Sequence, residues 1–144
     1  AITEGQHLDM AFENRVDVTE AEYLRIVRGK TAALLAASTR IGAQVAEATP
    51  AMVERLTRFG EAVGLAFQIA DDILDVTGDA ATAGKRVGKD QKAGKATFVS
   101  LLGLQGARER AAALVYQAEA ALHPYGDSAR NLIAAARFSI SRDS

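Results

Sequence analysis

Apolar residues recur along this chain at the three- and four-residue spacing of amphipathic helices. Three helix starts are predicted, because a capping residue, a proline or a turn stands just before an apolar run of this kind. They are Thr19 before Glu20, Thr49 before Pro50, and Gly126-Asp127 before a last run that ends near Ser141. β-Branched residues do not alternate between turns, as half-buried strands require. The pattern predicts an all-α fold, with the first helical run reaching Ala37.

The helix expected from Pro50 onward carries glycines four positions apart, at Gly60 and Gly64. Glycine has no Cβ, so two glycines on one helix face allow a neighbouring backbone to come close. We therefore expect close helix packing at these two positions.

Three carboxylates lie within that same helix, in a segment that is otherwise nearly all apolar. They belong to Asp71-Asp72-Ile73-Leu74-Asp75, and helical periodicity places them on one strip with Gln68. Like charges three or four residues apart destabilise a helix by roughly 0.2–0.5 kcal/mol per pair, a penalty that a bound divalent cation removes. Oxygen ligands on one face suit Mg²⁺. A solvated charge cluster is the alternative interpretation, although so apolar a segment seldom faces water.

Two other segments carry cations that complement the acidic strip. Residues 84–95 contain five cations and three glycines, a composition that predicts a loop. Gly29-Lys30-Thr31 lies in the first helical run, where a Lys followed by a hydroxyl could contact a phosphate. It is not a nucleotide P-loop, because that motif needs a glycine where this chain has Leu24. Together the segments predict a site that holds a polyanion between Mg²⁺ and ammonium groups.

Four ordered motifs between residues 5 and 104 resemble those of trans-polyprenyl diphosphate synthases, most of all the bacterial farnesyl diphosphate synthases. The motifs are Gly5-Gln6-His7-Leu8-Asp9-Met10, Lys30-Thr31-Ala32-Ala33-Leu34, residues 64–75 and residues 84–97. In that family they lie in the C-terminal half of one domain. The resemblance implies the all-α helical bundle of the isoprenoid synthases, with residues 1–144 as its C-terminal portion.

The resemblance also implies a reaction. Family members ionise an allylic diphosphate, such as dimethylallyl or geranyl diphosphate, and the carbocation alkylates isopentenyl diphosphate. Loss of a proton gives a short-chain product such as farnesyl diphosphate, with a trans double bond. Departure of diphosphate is the difficult step, and Mg²⁺ together with Lys side chains stabilises the charge that develops on it.

Site residues follow from the same resemblance. The metal-binding carboxylates are expected to be Asp71, Asp72 and Asp75, with Asp71 the first candidate for a direct ligand. The cations expected to bind diphosphate are Lys30, Lys85 and Lys95. The oxygen dipoles expected to face the carbocation belong to Thr31 and Gln68. Phe67 is expected to help shape the isopentenyl pocket. Gln6 and Asp9 are expected to orient Lys30 and the bound diphosphate.

The family carries an additional aspartate-rich motif in an upstream half, which this sequence does not contain. Asp71-Asp72 is the one adjacent aspartate pair among 144 residues. We therefore expect a C-terminal fragment that makes no product by itself, because ionisation needs all of the leaving-group charge to be met at once. The full-length protein is expected to be a homodimer, as family members usually are.

Bulk properties exclude several other classes of function. A net charge of −1 gives no general attraction to nucleic acid or to anionic membranes. The absence of cysteine excludes disulfides, thiolate metal sites and cysteine nucleophiles. The best candidate for a membrane span, residues 31–48, is interrupted by Arg40 and Glu47. These features favour a cytoplasmic enzyme.

Two alternatives remain open. One is a non-catalytic interaction subunit of a heteromeric prenyl synthase, against which the retention of the aspartates and of Lys30, Lys85 and Lys95 argues. The other is a terpene cyclase, which shares the fold and the diphosphate chemistry but lacks this Lys-Thr and Gly-Lys arrangement.

Overall fold

A computed structural model describes residues 17–81 and 96–141 together with positions 3, 7, 10 and 11, and for residues 79–81 the backbone alone. Within those ranges the chain forms α-helices and no strand, which confirms the predicted all-α fold. The helices are α1 (Glu20–Val27), α2 (Ala33–Val45), α3 (Pro50–Ala81), α4 (Phe98–Leu122) and α5 (Arg130–Ile140). A π-helical turn, Arg28–Ala32, joins α1 to α2, and a 3₁₀ segment, His123–Ala129, joins α4 to α5. No helix in these ranges combines the length and the hydropathy of a membrane span.

Two of the predicted helix starts are confirmed. The Thr19 hydroxyl accepts the Glu22 backbone N–H at 3.3 Å, while the Glu22 carboxylate accepts the Thr19 N–H at 2.9 Å. This reciprocal pair is a capping box at the start of α1. At the start of α3, Thr49 Oγ1 accepts the Met52 N–H at 3.3 Å.

Two predicted boundaries differ from the structure. The last α-helix begins at Arg130 instead of at Gly126, because Gly126 has φ +50° and ψ −132°, a conformation outside the helical region. The first helical run does not stop at Ala37 but continues through the π turn to Val45. No proline or strained residue between Ala37 and Val45 interrupts it.

α3 is the central helix, with α2 and α4 packed against it and α5 and the π turn also in contact. Its inner face is apolar, and both Ala66 and Ile69 have no exposed surface. Phe98 and Leu122 of α4 are likewise buried against this core. Burying one such large apolar side chain stabilises a fold by about 1.5–3 kcal/mol. The apolar face of α3 is therefore the one that turns toward the neighbouring helices.

The predicted close packing at Gly60 and Gly64 is confirmed. A Cβ at Gly64 would lie 2.6 Å from the Cα of Ala32, and one at Gly60 would lie 2.7 Å from the carbonyl oxygen of Leu35. Both contacts involve backbone atoms, which cannot rotate away as a side chain can. The glycines therefore bring α3 close enough to the π turn and α2 for side chains to form hydrogen bonds across the contact.

Replacing Gly64 by valine is expected to destabilise the fold by roughly 3 kcal/mol, since overpacking costs about 1–3 kcal/mol and occasionally more. Gly42→Val in α2 is the matched control, because a Cβ at this exposed position meets nothing within 4 Å. Urea unfolding followed by circular dichroism measures both variants. Equal midpoints for the two valine variants would contradict the prediction.

Candidate functional site

The π turn at Arg28–Ala32 places Lys30 and Thr31 at an irregularity inside a long helical run. Such turns insert one extra residue, change which side chains face a neighbouring helix, and occur often at functional sites. Here Ala32 is fully buried against Gly64, Thr31 is half-buried and Lys30 is exposed. The sequence pattern predicts ordinary helix over this segment, because its apolar spacing does not distinguish one π turn from an α turn.

Thr31, Gln68 and Asp72 form a continuous hydrogen-bonded chain from the π turn to α3. Thr31 Oγ1 donates to Gln68 Oε1 at 3.1 Å, and Gln68 Nε2 donates to Asp72 Oδ1 at 3.2 Å. Gln68 and Asp72 are one helical turn apart, so their side chains meet on the same face of α3. The structure thus brings together three of the predicted site residues.

Asp72 is the most buried aspartate of the acidic strip, with 4% of its surface exposed. Its Oδ2 accepts hydrogen bonds from Tyr23 Oη and from the Phe98 backbone N–H, both at 2.9 Å. The Phe98 N–H belongs to the first turn of α4, where unpaired N–H groups and the helix dipole favour an anion. Asp72 therefore ties α1, α3 and α4 together at one point.

Tyr23 is a site residue that the sequence analysis missed. It is 7% exposed, and its ring packs edge-on against Phe98 with the ring centroids 4.8 Å apart. The available signal was its position on the apolar face of α1 beside Ile26 and Val27, since a buried tyrosine hydroxyl needs a hydrogen-bond partner. That signal predicts a polar group in the core without saying which one.

Asp71 is half-buried and Asp75 is exposed, and their spacing of four residues places them on one face of α3. Across the residues that the structure describes, no group of three or more His, Cys, Asp or Glu side chains could hold a metal ion. Metal binding by the acidic strip therefore stays a prediction. Asp71 and Asp75 as a pair still fit Mg²⁺, which usually takes one or two protein carboxylates and completes its shell with water and phosphate oxygens.

The remaining predicted site residues fall into two groups. Phe67 is half-buried next to Gln68, and Lys30 directly precedes Thr31, so both adjoin the hydrogen-bonded chain. Four predictions lie outside the described residues: those for Gln6, Asp9, Lys85 and Lys95. The predicted loop over residues 84–95 lies outside them as well.

A groove of about 600 Å³ between α1, α3 and α4 is lined by four arginines. These are Arg28, Arg55, Arg58 and Arg110. Three of them are paired with glutamates: Arg28 with Glu61 at 3.0 Å, Arg110 with Glu20 at 3.5 Å, and Arg58 with Glu54. Because most of its charge is compensated, the groove is a weaker candidate for a polyanion than the acidic strip with a metal ion.

The protein-family model for polyprenyl synthetase matches residues 1–124. The chain belongs to the polyprenyl synthetase family. Among related polyprenyl synthetases, the short chain isoprenyl diphosphate synthase of Methanothermobacter thermautotrophicus is 48% identical over 109 residues, or 76% of this chain and 34% of the relative. The farnesyl diphosphate synthase of Escherichia coli K12 is 45% identical over 122 residues, or 82% of this chain and 40% of the relative.

Solved structures show the same polyprenyl synthetase fold. The polyprenyl synthase from Caulobacter crescentus CB15, complexed with calcium and isoprenyl diphosphate, matches with a TM-score of 0.89 at 31% identity, over 99% of this chain and 56% of that one. The resemblance found in the sequence motifs is thereby confirmed at the level of family and fold. This polyprenyl synthetase chain spans 34–40% of the length of the two relatives named above.

Proposed function

We propose that this chain contributes part of the active site of a trans-prenyl diphosphate synthase, which condenses isopentenyl diphosphate with an allylic diphosphate to form a product such as farnesyl diphosphate. The observation that carries this proposal is the hydrogen-bonded Thr31–Gln68–Asp72 chain. In the sequence, Lys30 directly precedes Thr31 and Asp71 directly precedes Asp72. The proposal includes residues 1–144 as the C-terminal half of a single domain, a homodimer in the full-length protein, and a cytoplasmic location. The first two parts follow from the family resemblance, and the third follows from the bulk properties of the sequence.

Each described site residue has a role in the proposed mechanism. Asp71, with Asp75, would hold Mg²⁺, which supplies positive charge to the departing diphosphate. Lys30, exposed on the π turn, binds diphosphate oxygens through its ammonium group. Thr31 and Gln68 direct oxygen lone pairs at the allylic carbon as positive charge develops there.

A solved structure and the exposure of Lys30 support this assignment. The Caulobacter crescentus protein, which has the same fold, was solved with a divalent cation and an isoprenyl diphosphate. The roles of Phe67, Gln6, Asp9, Lys85 and Lys95 rest on the resemblance of their motifs. A non-catalytic subunit would have no need of an exposed Lys30 beside a hydrogen-bonded Thr31–Gln68 pair.

A chimeric synthase tests the proposal. In it, this chain replaces the matching segment of the Escherichia coli farnesyl diphosphate synthase, to which it is 45% identical over 122 residues. With Mg²⁺, dimethylallyl or geranyl diphosphate and labelled isopentenyl diphosphate, the chimera is expected to form a longer trans-prenyl diphosphate. A chimera that unfolds cooperatively like the parent enzyme, yet forms no such product, would contradict the proposed function.

A further inference from the structure

The buried network assigns Asp72 a task that differs from metal binding. We propose that Asp72, held by Tyr23 and by the first turn of α4, is a positioning residue that orients the Gln68 amide. In that orientation Thr31 and Gln68 offer the substrate oxygen lone pairs instead of protons. The identity of the substrate rests on the proposed function above, whereas the orientation itself does not.

The orientation follows from what each group can donate. A carboxylate accepts hydrogen bonds, and Asp72 Oδ2 already faces two donors, Tyr23 Oη and the Phe98 N–H, at 2.9 Å each. At 3.2 Å from Asp72 Oδ1, Gln68 must therefore present its NH₂ group. The Gln68 carbonyl oxygen is then left for Thr31.

The direction of the Thr31 hydroxyl proton follows from the orientation of the Gln68 amide. A hydroxyl has one proton, and at 3.1 Å from Gln68 Oε1 that proton is given to the Gln68 carbonyl oxygen. The rest of the Thr31 oxygen surface carries lone pairs, and the Gln68 oxygen keeps a second lone pair. Lone pairs fixed in advance stabilise an electron-poor carbon without reorganisation during the reaction, whereas an O–H directed at that carbon would oppose it.

The three aspartates of the motif differ in burial, and this difference supports different roles for them. Asp72 and Tyr23 are 4% and 7% exposed, which leaves almost no surface at Asp72 for a hydrated ion. Asp71 and Asp75 lie on more accessible positions of the same helix. The geometry points to the outer two carboxylates for the metal and to the middle one for the amide.

Asp72→Asn reverses the polarity of the network at nearly constant shape. The carbonyl oxygen of the new side chain can accept from Tyr23 and Phe98, while its NH₂ group faces Gln68 and forces that amide to turn over. The Thr31 hydroxyl must then accept, and its proton points toward the substrate. In the chimera we expect turnover to fall roughly tenfold to hundredfold, with little change in the KM for isopentenyl diphosphate or in the unfolding midpoint.

Tyr23→Phe separates positioning from simple structural support. It removes one hydrogen bond from Asp72 but leaves the carboxylate, and therefore the polarity, unchanged. We expect a smaller loss of turnover than for Asp72→Asn, together with a larger fall in stability. If the network only supported the fold, turnover would fall in step with stability. Tyr23→Phe would then lose more turnover than Asp72→Asn. Asp127→Asn, at an exposed position in the 3₁₀ segment, controls for the loss of one carboxylate.

A second readout does not depend on activity. In the 144-residue chain labelled with ¹⁵N-glutamine, a nuclear Overhauser contact between the Gln68 NH₂ protons and the Thr31 methyl group should be stronger in Asp72→Asn than in the parent. Equal contacts in the two proteins, or unchanged turnover of Asp72→Asn in an active chimera, would overturn the proposal. A parent chimera that unfolds cooperatively but is inactive would count against the proposed function, and the Overhauser comparison would then decide the positioning role by itself.

Discussion

Asp71→Ala is expected to slow the chimeric synthase on the order of a thousandfold, because a metal ion contributes several kcal/mol and each 1.36 kcal/mol is a factor of ten in rate. Asp71 is accessible from solvent, and its neighbour Asp72 anchors this part of α3 through Tyr23 and Phe98. Affinity for isopentenyl diphosphate should change little, because in the proposed mechanism the carboxylate would hold a metal against the allylic diphosphate. Steady-state kinetics with labelled isopentenyl diphosphate at saturating Mg²⁺ measures both quantities.

The control for this variant is Asp127→Ala, which removes one exposed carboxylate far from the acidic strip in sequence. Its kinetics should match those of the unmodified chimera. If Asp71→Ala also turned over at a near-normal rate, the assignment of Asp71 as a metal ligand would have to be abandoned.

The isolated 144-residue chain is expected to form no detectable product, even with Mg²⁺, dimethylallyl diphosphate and isopentenyl diphosphate present. Its matched relatives are more than twice as long, and the resemblance implies that a second aspartate-rich motif lies in their remaining part. Without those carboxylates the charge of the leaving diphosphate is only partly met, so ionisation stays slow. Thin-layer separation of labelled products after dephosphorylation measures the yield.

Exposed apolar side chains on α2 supply a second observable for the isolated chain. Leu34, Ile41 and Val45 are 56%, 58% and 79% exposed and lie on one side of the helix. Such a surface favours association, so the isolated chain should elute from a sizing column at an apparent mass above 15.2 kDa.

Farnesyl diphosphate formed by a preparation that mass spectrometry shows to be free of any longer synthase would refute the expected inactivity.

The helix starts could be predicted because their signals are local. Thr19 caps α1 through Glu22, three residues away, and Thr49 caps α3 through the equally near Met52. The start of α5 was misplaced because a turn residue such as Gly126 is compatible with either a helix start or a 3₁₀ segment. Its positive φ, which glycine adopts without strain, ends any helix there, and the sequence alone does not specify that φ.

The sequence predicts most of the candidate site residues but not the contacts between them or their burial. Spacing and the family resemblance predict Lys30, Thr31, Gln68 and the aspartates as site residues, and Thr31, Gln68 and Asp72 are hydrogen-bonded to one another. Tyr23 was missed, because it is 49 residues from Asp72 and carries no motif of its own. Periodicity also placed all three aspartates on one strip without ranking them by burial.

The sequence by itself determined the helical content, the acidic strip on α3 and the family, since these depend on residues within a few helical turns of one another. Only the tertiary structure decided which aspartate is buried and how the Gln68 amide is turned. Asp72 meets Tyr23 and Phe98 across 49 and 26 residues of chain. Those distances depend on how closely whole helices approach, and the approach of α2 and the π turn to α3 is set by backbone contacts at Gly60 and Gly64. Long-range packing of this kind has no periodic signature, so it had to be seen in three dimensions.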